Sequence, residues 1–411
     1  MRRLAQRISP RRAADLAALA LAFAVGALVA STLASVRYVD NPDEAYYLAY
    51  AGYVGEHGLA GLPQLFHDYA SEPARWRFPN PLRVGYIGLA TGWTALRGTS
   101  FAALSELSLV CHVLVVLVAY RFLRGLQGHA RALLAAALVA FSPLQLALAR
   151  RALIDGAATL TGLLVLWSFV ASLRHPGRRG LRALFALAFG AGIVVKETGL
   201  LLALPCAIVL AWERFAVRRS LPLGEYALAL LAPPAVCAAL WLWAAGDLST
   251  LVSVVRIILS SPASNDYALQ YGGGPWYRYV VDELLLAPWP TLCGIAAIGW
   301  AALRARERQA GDAAVWLAAW VASLWLAFAP FTKNVRYVAQ GEIPLRALAV
   351  ALLCELCATR RAAPGLAVAA AVVIWWSVAG WIDFERIFVT AALYDPMTAP
   401  LLMLRGLAPG P

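Results

Sequence analysis

The chain has 411 residues, 61% of them hydrophobic and only 14% charged, with a formal net charge of +12. A soluble domain is nearer one half apolar and one quarter charged, so this composition excludes an ordinary water-soluble fold and points to a polytopic membrane protein. The positive charge does not indicate nucleic acid, because the basic residues are dispersed over short loops and do not gather on one folded face.

Apolar runs recur along the whole chain at 13–36, 101–123, 131–149, 156–173, 181–195, 198–213, 222–246, 283–303, 312–331, 337–358 and 364–382. Most approach the length that crosses roughly 30 Å of hydrocarbon, and in lipid each must be a helix, because its backbone groups find partners only within the segment. The expected fold class is therefore all-α, with about 11 transmembrane helices. The first run is too long for the apolar core of a secretory signal and is read as retained. Basic residues precede it (Arg2, Arg3, Arg7, Arg11, Arg12) and recur in alternate loops, as at Arg121 and Arg124, Arg178 and Arg179, Arg218 and Arg219, Arg304 and Arg306, and Arg360 and Arg361. This bias places the N-terminus in the cytoplasm, with the protein in the cell (inner) membrane. Residues 1–383 then form one transmembrane unit, and 384–411 a short external tail.

The first external loop, 37–100, carries Asp40-Asn41-Pro42-Asp43-Glu44-Ala45-Tyr46-Tyr47. Asn41 suits a helix cap, Pro42 the first helical position, and Asp43 and Glu44 the first turn beside the positive end of the helix dipole. The spacing predicts a juxtamembrane amphipathic helix over 43–56 and a second over 82–96, after Phe78-Pro79-Asn80-Pro81. Tyr46, Tyr47, Tyr50 and Tyr53 suit the interface, where amphipathic rings are favoured.

Further along, charge appears at expected outer span ends: Arg150, Arg151 and Asp155, then Lys196 and Glu197, then Lys333, Arg336 and Tyr337. The second long external loop, 247–282, contains a Gly272-Gly273-Gly274-Pro275 turn with no strand before it. The six cysteines fall in apolar runs and read as small buried side chains; the lone Cys354-Glu355-Leu356-Cys357 lacks the second pair that a zinc site needs.

Carboxylates and cations converging on one membrane face suit a particular chemistry. Cations stabilise a phosphate leaving group by fixed charge, while a carboxylate takes the proton of an attacking hydroxyl or amine. Asp43, Glu44 and Asp155 are the candidate catalytic acids. Arg151, Lys196, Lys333 and Arg336, with Tyr337, are candidate phosphate ligands, and Tyr46, Tyr47 and Glu197 candidate pocket residues. No metal-ligand motif is legible, and a divalent cation (Mg²⁺ or Mn²⁺) stays open as a cofactor. Each group also has a purely structural reading: helix capping for Asp43 and Glu44, an interfacial ion pair for Arg150, Arg151 and Asp155, a snorkelling turn for Lys196 and Glu197, and anchors for Lys333 and Arg336.

Several motifs, in this order, resemble the GT-C superfamily of glycosyltransferases that use polyprenyl-phosphate sugars, near the protein O-mannosyltransferases and lipid A aminoarabinose transferases. They are Asp43-Glu44-Ala45-Tyr46-Tyr47, Phe78-Pro79-Asn80-Pro81-Leu82, Arg151-Ala152-Leu153-Ile154-Asp155, Lys196-Glu197-Thr198 and Arg336-Tyr337. The resemblance implies Asp43 as the catalytic base, Asp155 in the donor or acceptor pocket, and Lys196 and Arg336 on the donor phosphate. It implies a polyprenyl-phosphate sugar and a glycan, lipid or protein acceptor as partners, with membrane lipids around the protein and the reaction outside the cytoplasm. The chain departs from the aminoarabinose transferases at Arg77-Phe78, where they carry Glu-Lys, and lacks the C-terminal soluble domain of some relatives. A transporter or lipid flippase is the alternative reading, followed by a non-catalytic partner in envelope glycan assembly.

Overall fold

The computed structural model describes residues 10–38, 42–260, 266–307, 312–358 and 362–393. The expectations for Asp40, for Asn41 as a cap and for most of the tail lie outside these. The described chain is helical, with no strand among the described residues. In order the helices are α1 (Pro10–Thr32), α2 (Pro42–His57), α3 (Leu62–Ser71), α4 (Val84–Arg97), α5 (Phe101–Gln127), α6 (His129–Ala140) and α7 (Pro143–Ala149). There follow α8 (Asp155–Arg174), α9 (Arg179–Val195), α10 (Ala203–Ala211), α11 (Leu223–Ala245), α12 (Leu248–Ser260) and α13 (Asp266–Tyr271). The last are α14 (Arg278–Leu286), α15 (Pro288–Ala305), α16 (Ala313–Phe328), α17 (Glu342–Leu356) and α18 (Ala362–Phe384).

Among the described residues six helical segments are long and apolar enough to cross a membrane, or seven if α6 and α7, bent by 60°, form one span, against the expected 11 or so. Each predicted apolar run falls on helical residues, but the runs 131–149 and 283–303 are each divided between two helices, and α9, α16 and α17 have only 17, 16 and 15 residues. The shortening of α17 has a visible cause. Residues 335–341 form two 3₁₀ turns before it, and α17 is buried along most of its length. Irregular backbone is tolerated at membrane depth where protein covers it or a cavity receives it.

In the first loop α2 and α4 match their predicted ranges to within two residues. The helix α3 was not anticipated, although Leu62, Leu65, Phe66 and Tyr69 form its buried stripe at helical spacing. Together α2, α3 and α4 pack as a layer against α5, α9 and α11.

Arg150 staples three segments. Its guanidinium is 3% exposed and donates to the carbonyls of Thr32 (3.1 Å) and Phe388 (2.6 Å), near the C-terminal ends of α1 and α18. A cation there complements the negative end of each helix. Replacing Arg150 by Met strands these carbonyls. Charged hydrogen bonds are worth about 1.5–3 kcal/mol each, so the variant should melt several degrees lower in detergent, as read by tryptophan fluorescence.

Candidate active site

Adjacent residues on a helix point about 100° apart, and the first turn of α2 uses this to separate its two acids. Glu44 has no exposed surface. Its Oε1 accepts from Arg151 Nε at 2.8 Å and from the Ala152 amide at 2.8 Å, and its Oε2 from Arg151 Nη2 at 2.5 Å. Glu44 therefore fastens α2 to the bend between α7 and α8. Glu44 and Arg151, expected as a catalytic acid and a phosphate ligand, are thus paired with each other out of solvent. Asp43 turns the other way: 31% of its side chain is accessible, and its Oδ2 lies 3.8 Å from Arg336 Nη2.

Asp155 opens α8, and its Oδ1 is 2.7 Å from Lys196 Nζ. Lys196 stands where the fifth apolar run breaks. Its backbone is extended after α9, and Glu197–Leu202 continues as a 3₁₀ turn. Glycine is required at this break, since a Cβ on Gly199 would meet the Gly192 carbonyl oxygen at 2.6 Å. Arg336 comes from the 3₁₀ turn Val335–Tyr337, where Asn334 Oδ1 accepts from its amide and its Nε. Its Nη1 is 3.6 Å from Asp155 Oδ2. The Tyr337 ring lies under Lys196, 4.9 Å from Nζ. Between them is a narrow cleft lined by Lys196, Thr198, Gly199, Arg336, Tyr337 and Gln340, with α8 as its wall.

Beside this cleft Glu197 accepts from Arg83 Nε and Nη2, each at 3.0 Å, and from Asn80 Nδ2 at 3.0 Å. Arg83 Nη1 also donates to the Tyr47 hydroxyl. The recess thus holds three carboxylates, Asp43, Asp155 and Glu197, interleaved with three cations, Arg83, Lys196 and Arg336. Burial raises the Asp43 carboxyl above the usual carboxylate range, against the pull of Arg336 and Arg83. Burial likewise lowers the Lys196 ammonium, although Asp155 opposes it.

Of the residues singled out in the sequence, Asp43, Tyr47, Asp155, Lys196, Glu197, Arg336 and Tyr337 meet here. Lys333 does not join them: its ammonium donates to the Ala329 and Phe331 carbonyls and its amide to Gly272. Tyr46 stacks on Phe78 at 4.3 Å, within the first-loop layer. Arg83 and Asn80 were missed as site residues. Arg83 is one of five arginines in the loop 37–100, and nothing in the sequence sets it apart from Arg37, Arg75, Arg77 and Arg97. Among the described residues no group of three His, Cys, Asp or Glu side chains is placed to hold a metal. The recess carboxylates are instead matched by arginine and lysine, a donor set that does not fit a divalent cation.

The family model described as dolichyl-phosphate-mannose-protein mannosyltransferase matches residues 81–243, a segment containing Arg83, Asp155, Lys196 and Glu197. The structure is similar to ArnT from Cupriavidus metallidurans bound to undecaprenyl phosphate, with TM-score 0.54 and 15% identity, over 95% of this chain and 75% of that one. It is also similar to the archaeal oligosaccharyltransferase AglB from Archaeoglobus fulgidus, in complex with an inhibitory peptide and a dolichol-phosphate. There the TM-score is 0.54 and the identity 14%, over 89% of this chain and 55% of that one. No curated protein matches the chain. Taken with its apolar helices, these likenesses make the chain a multi-pass membrane protein that shares its fold with ArnT and AglB.

Proposed function

We propose that the protein transfers a sugar from a polyprenyl-phosphate carrier to an acceptor at the non-cytoplasmic face of the cell (inner) membrane, with its N-terminus in the cytoplasm. The observation that carries this reading is the meeting of Asp43, Asp155, Lys196 and Arg336, from four distant segments, in one run of ion pairs. The solved structures it resembles were determined with undecaprenyl phosphate and dolichol-phosphate, which supports a lipid phosphate as donor. The donor sugar is a hexose or pentose.

In this reading Lys196 and Arg336 bind the donor phosphate. The acceptor hydroxyl or amine attacks the anomeric carbon, Asp43 takes its proton, and the bond from that carbon to the phosphate oxygen breaks. The electron pair leaves with the polyprenyl phosphate, whose new charge the two cations stabilise. One displacement inverts the anomeric centre, and a single acid–base carboxylate suffices for it. Asp155 orients Lys196 and Arg336, and Tyr337 supports the Lys196 ammonium from below. A transporter is less well supported, because the acid–cation cluster lies where helices begin and end, whereas transporter sites are typically formed on discontinuous helices within the membrane.

The clamp has a direct test. Lys196→Ala and Arg336→Ala should each weaken use of a polyprenyl-phosphate sugar by about tenfold or more, the equivalent of one charged hydrogen bond. Unchanged donor dependence in both variants, measured in proteoliposomes, would count against it.

A further inference from the structure

Arg83 is the one recess cation that neither Asp43 nor Asp155 holds at ion-pair distance among the described contacts. Its side chain is 14% exposed, and its fork is taken by Glu197 on one edge and the Tyr47 hydroxyl on the other. The local chain is built to keep it there. Gly85, two residues on, lies against Val194, and a Cβ there would meet the Val194 backbone at 2.9 Å. That contact seats the start of α4 on the end of α9, beside Lys196 and Glu197. Asn80 closes the arrangement, its Nδ2 on Glu197 and its Oδ1 accepting from the Leu82 amide at 3.1 Å.

The consequence for Tyr47 follows from hydrogen-bond chemistry. A guanidinium has donors only. Tyr47 must therefore accept from Arg83, and its own hydrogen is directed away from that contact. Tyr47 is 2% exposed, and its ring is held edge-on by Tyr86, 4.9 Å between centroids, so the hydroxyl cannot swing out to water. Among the described residues no acceptor is in place for that hydrogen. Its contact with Arg83, which is paired on its other edge with Glu197 next to Lys196, places the hydroxyl on the recess side.

We propose that Arg83, held by Glu197, is a positioning residue that turns the Tyr47 hydroxyl into a hydrogen-bond donor aimed at a phosphate oxygen of the lipid carrier. This rests on the glycosyl-transfer reading above. In the proposal Arg83 does not touch the carrier. It acts through Tyr47, which shares the anion with Arg336.

The test is the affinity for undecaprenyl phosphate of the full-length protein in nanodiscs, with thermal stability measured alongside. Tyr47→Phe should weaken binding about tenfold, the loss of one charged hydrogen bond. The paired variant Arg83→Met with Glu197→Gln, which leaves no buried charge unmatched, should weaken it by a similar factor. Adding Tyr47→Phe to that pair should cost nothing further, because both changes remove the same interaction. Arg83→Lys, which also can only donate, should recover most of the affinity. Additive losses of about a hundredfold would make Arg83 a direct ligand and overturn the proposal, as would a paired variant that melts early yet binds as well as the wild type. Wild-type protein that ignores undecaprenyl phosphate would overturn the carrier reading itself, an outcome separable from either of these.

Discussion

Asp43→Asn should abolish sugar transfer while leaving the protein folded and no less stable. General-base catalysis contributes about 10²–10⁴ in rate, so in proteoliposomes the loss should be at least about a hundredfold in kcat, with donor affinity nearly unchanged. The stability half of the prediction follows from the sign of the pKa shift. Asp43 is raised by burial, so folding favours its protonated form, and its ionisation costs stability that is regained as pH falls through the raised value. Asparagine imitates the protonated form permanently, so the melting temperature at neutral pH should match or exceed the wild type. The same shift sets the acid limb of activity. Transfer should fall as pH drops through a midpoint above the ordinary aspartate range, and that limb should be absent from the residual rate of the variant.

The adjacent residue should behave in the opposite way. Glu44→Ala or Arg151→Ala leaves one member of a buried pair uncompensated, at a cost of about 3–5 kcal/mol. Either variant should express poorly or melt far below the wild type, and activity should fall in proportion to folded protein. Burial holds the Glu44 carboxyl above its usual range even against Arg151, so the isosteric Glu44→Gln should cost less than truncation. Replacing both partners with apolar residues, Glu44→Leu with Arg151→Met, should be milder than either alanine, because no charge is left unmatched. A Glu44→Ala protein that folds normally yet loses turnover would transfer the catalytic role from Asp43 to its neighbour.

The contrast between these acids shows what the sequence could and could not disclose. Pro42, Asp43 and Glu44 mark a helix start in any reading, and α2 begins there. Which carboxylate faces Arg151 depends on how α2 sits on the bend at Arg150–Ile154, a contact between residues more than a hundred positions apart. Apolar runs located apolar helices, because period and length are local properties, but among the described residues only six or seven of them are long and apolar enough to cross a membrane. They could not reveal that the chain stops being α-helical at Lys196, since the cause is the close approach of Gly199 to Gly192. Lys333 and Arg336 looked equivalent in one motif. Their fates separate because Asn334 holds Arg336 toward Asp155 while Lys333 turns back onto the Ala329 and Phe331 carbonyls. Arg83 was hidden for the same reason, as its meaning depends on Glu197, 114 residues away.

The central claim is that acids and cations from distant segments surround the phosphate of a single lipid carrier. A cryo-electron microscopy map of the full-length protein in nanodiscs containing undecaprenyl phosphate tests it most directly. The expected map shows the phosphate within hydrogen-bond reach of Lys196 and Arg336, with Asp43 facing the position a sugar would take. A phosphate bound elsewhere, with the Lys196–Asp155 pair undisturbed and the cleft empty, would contradict it.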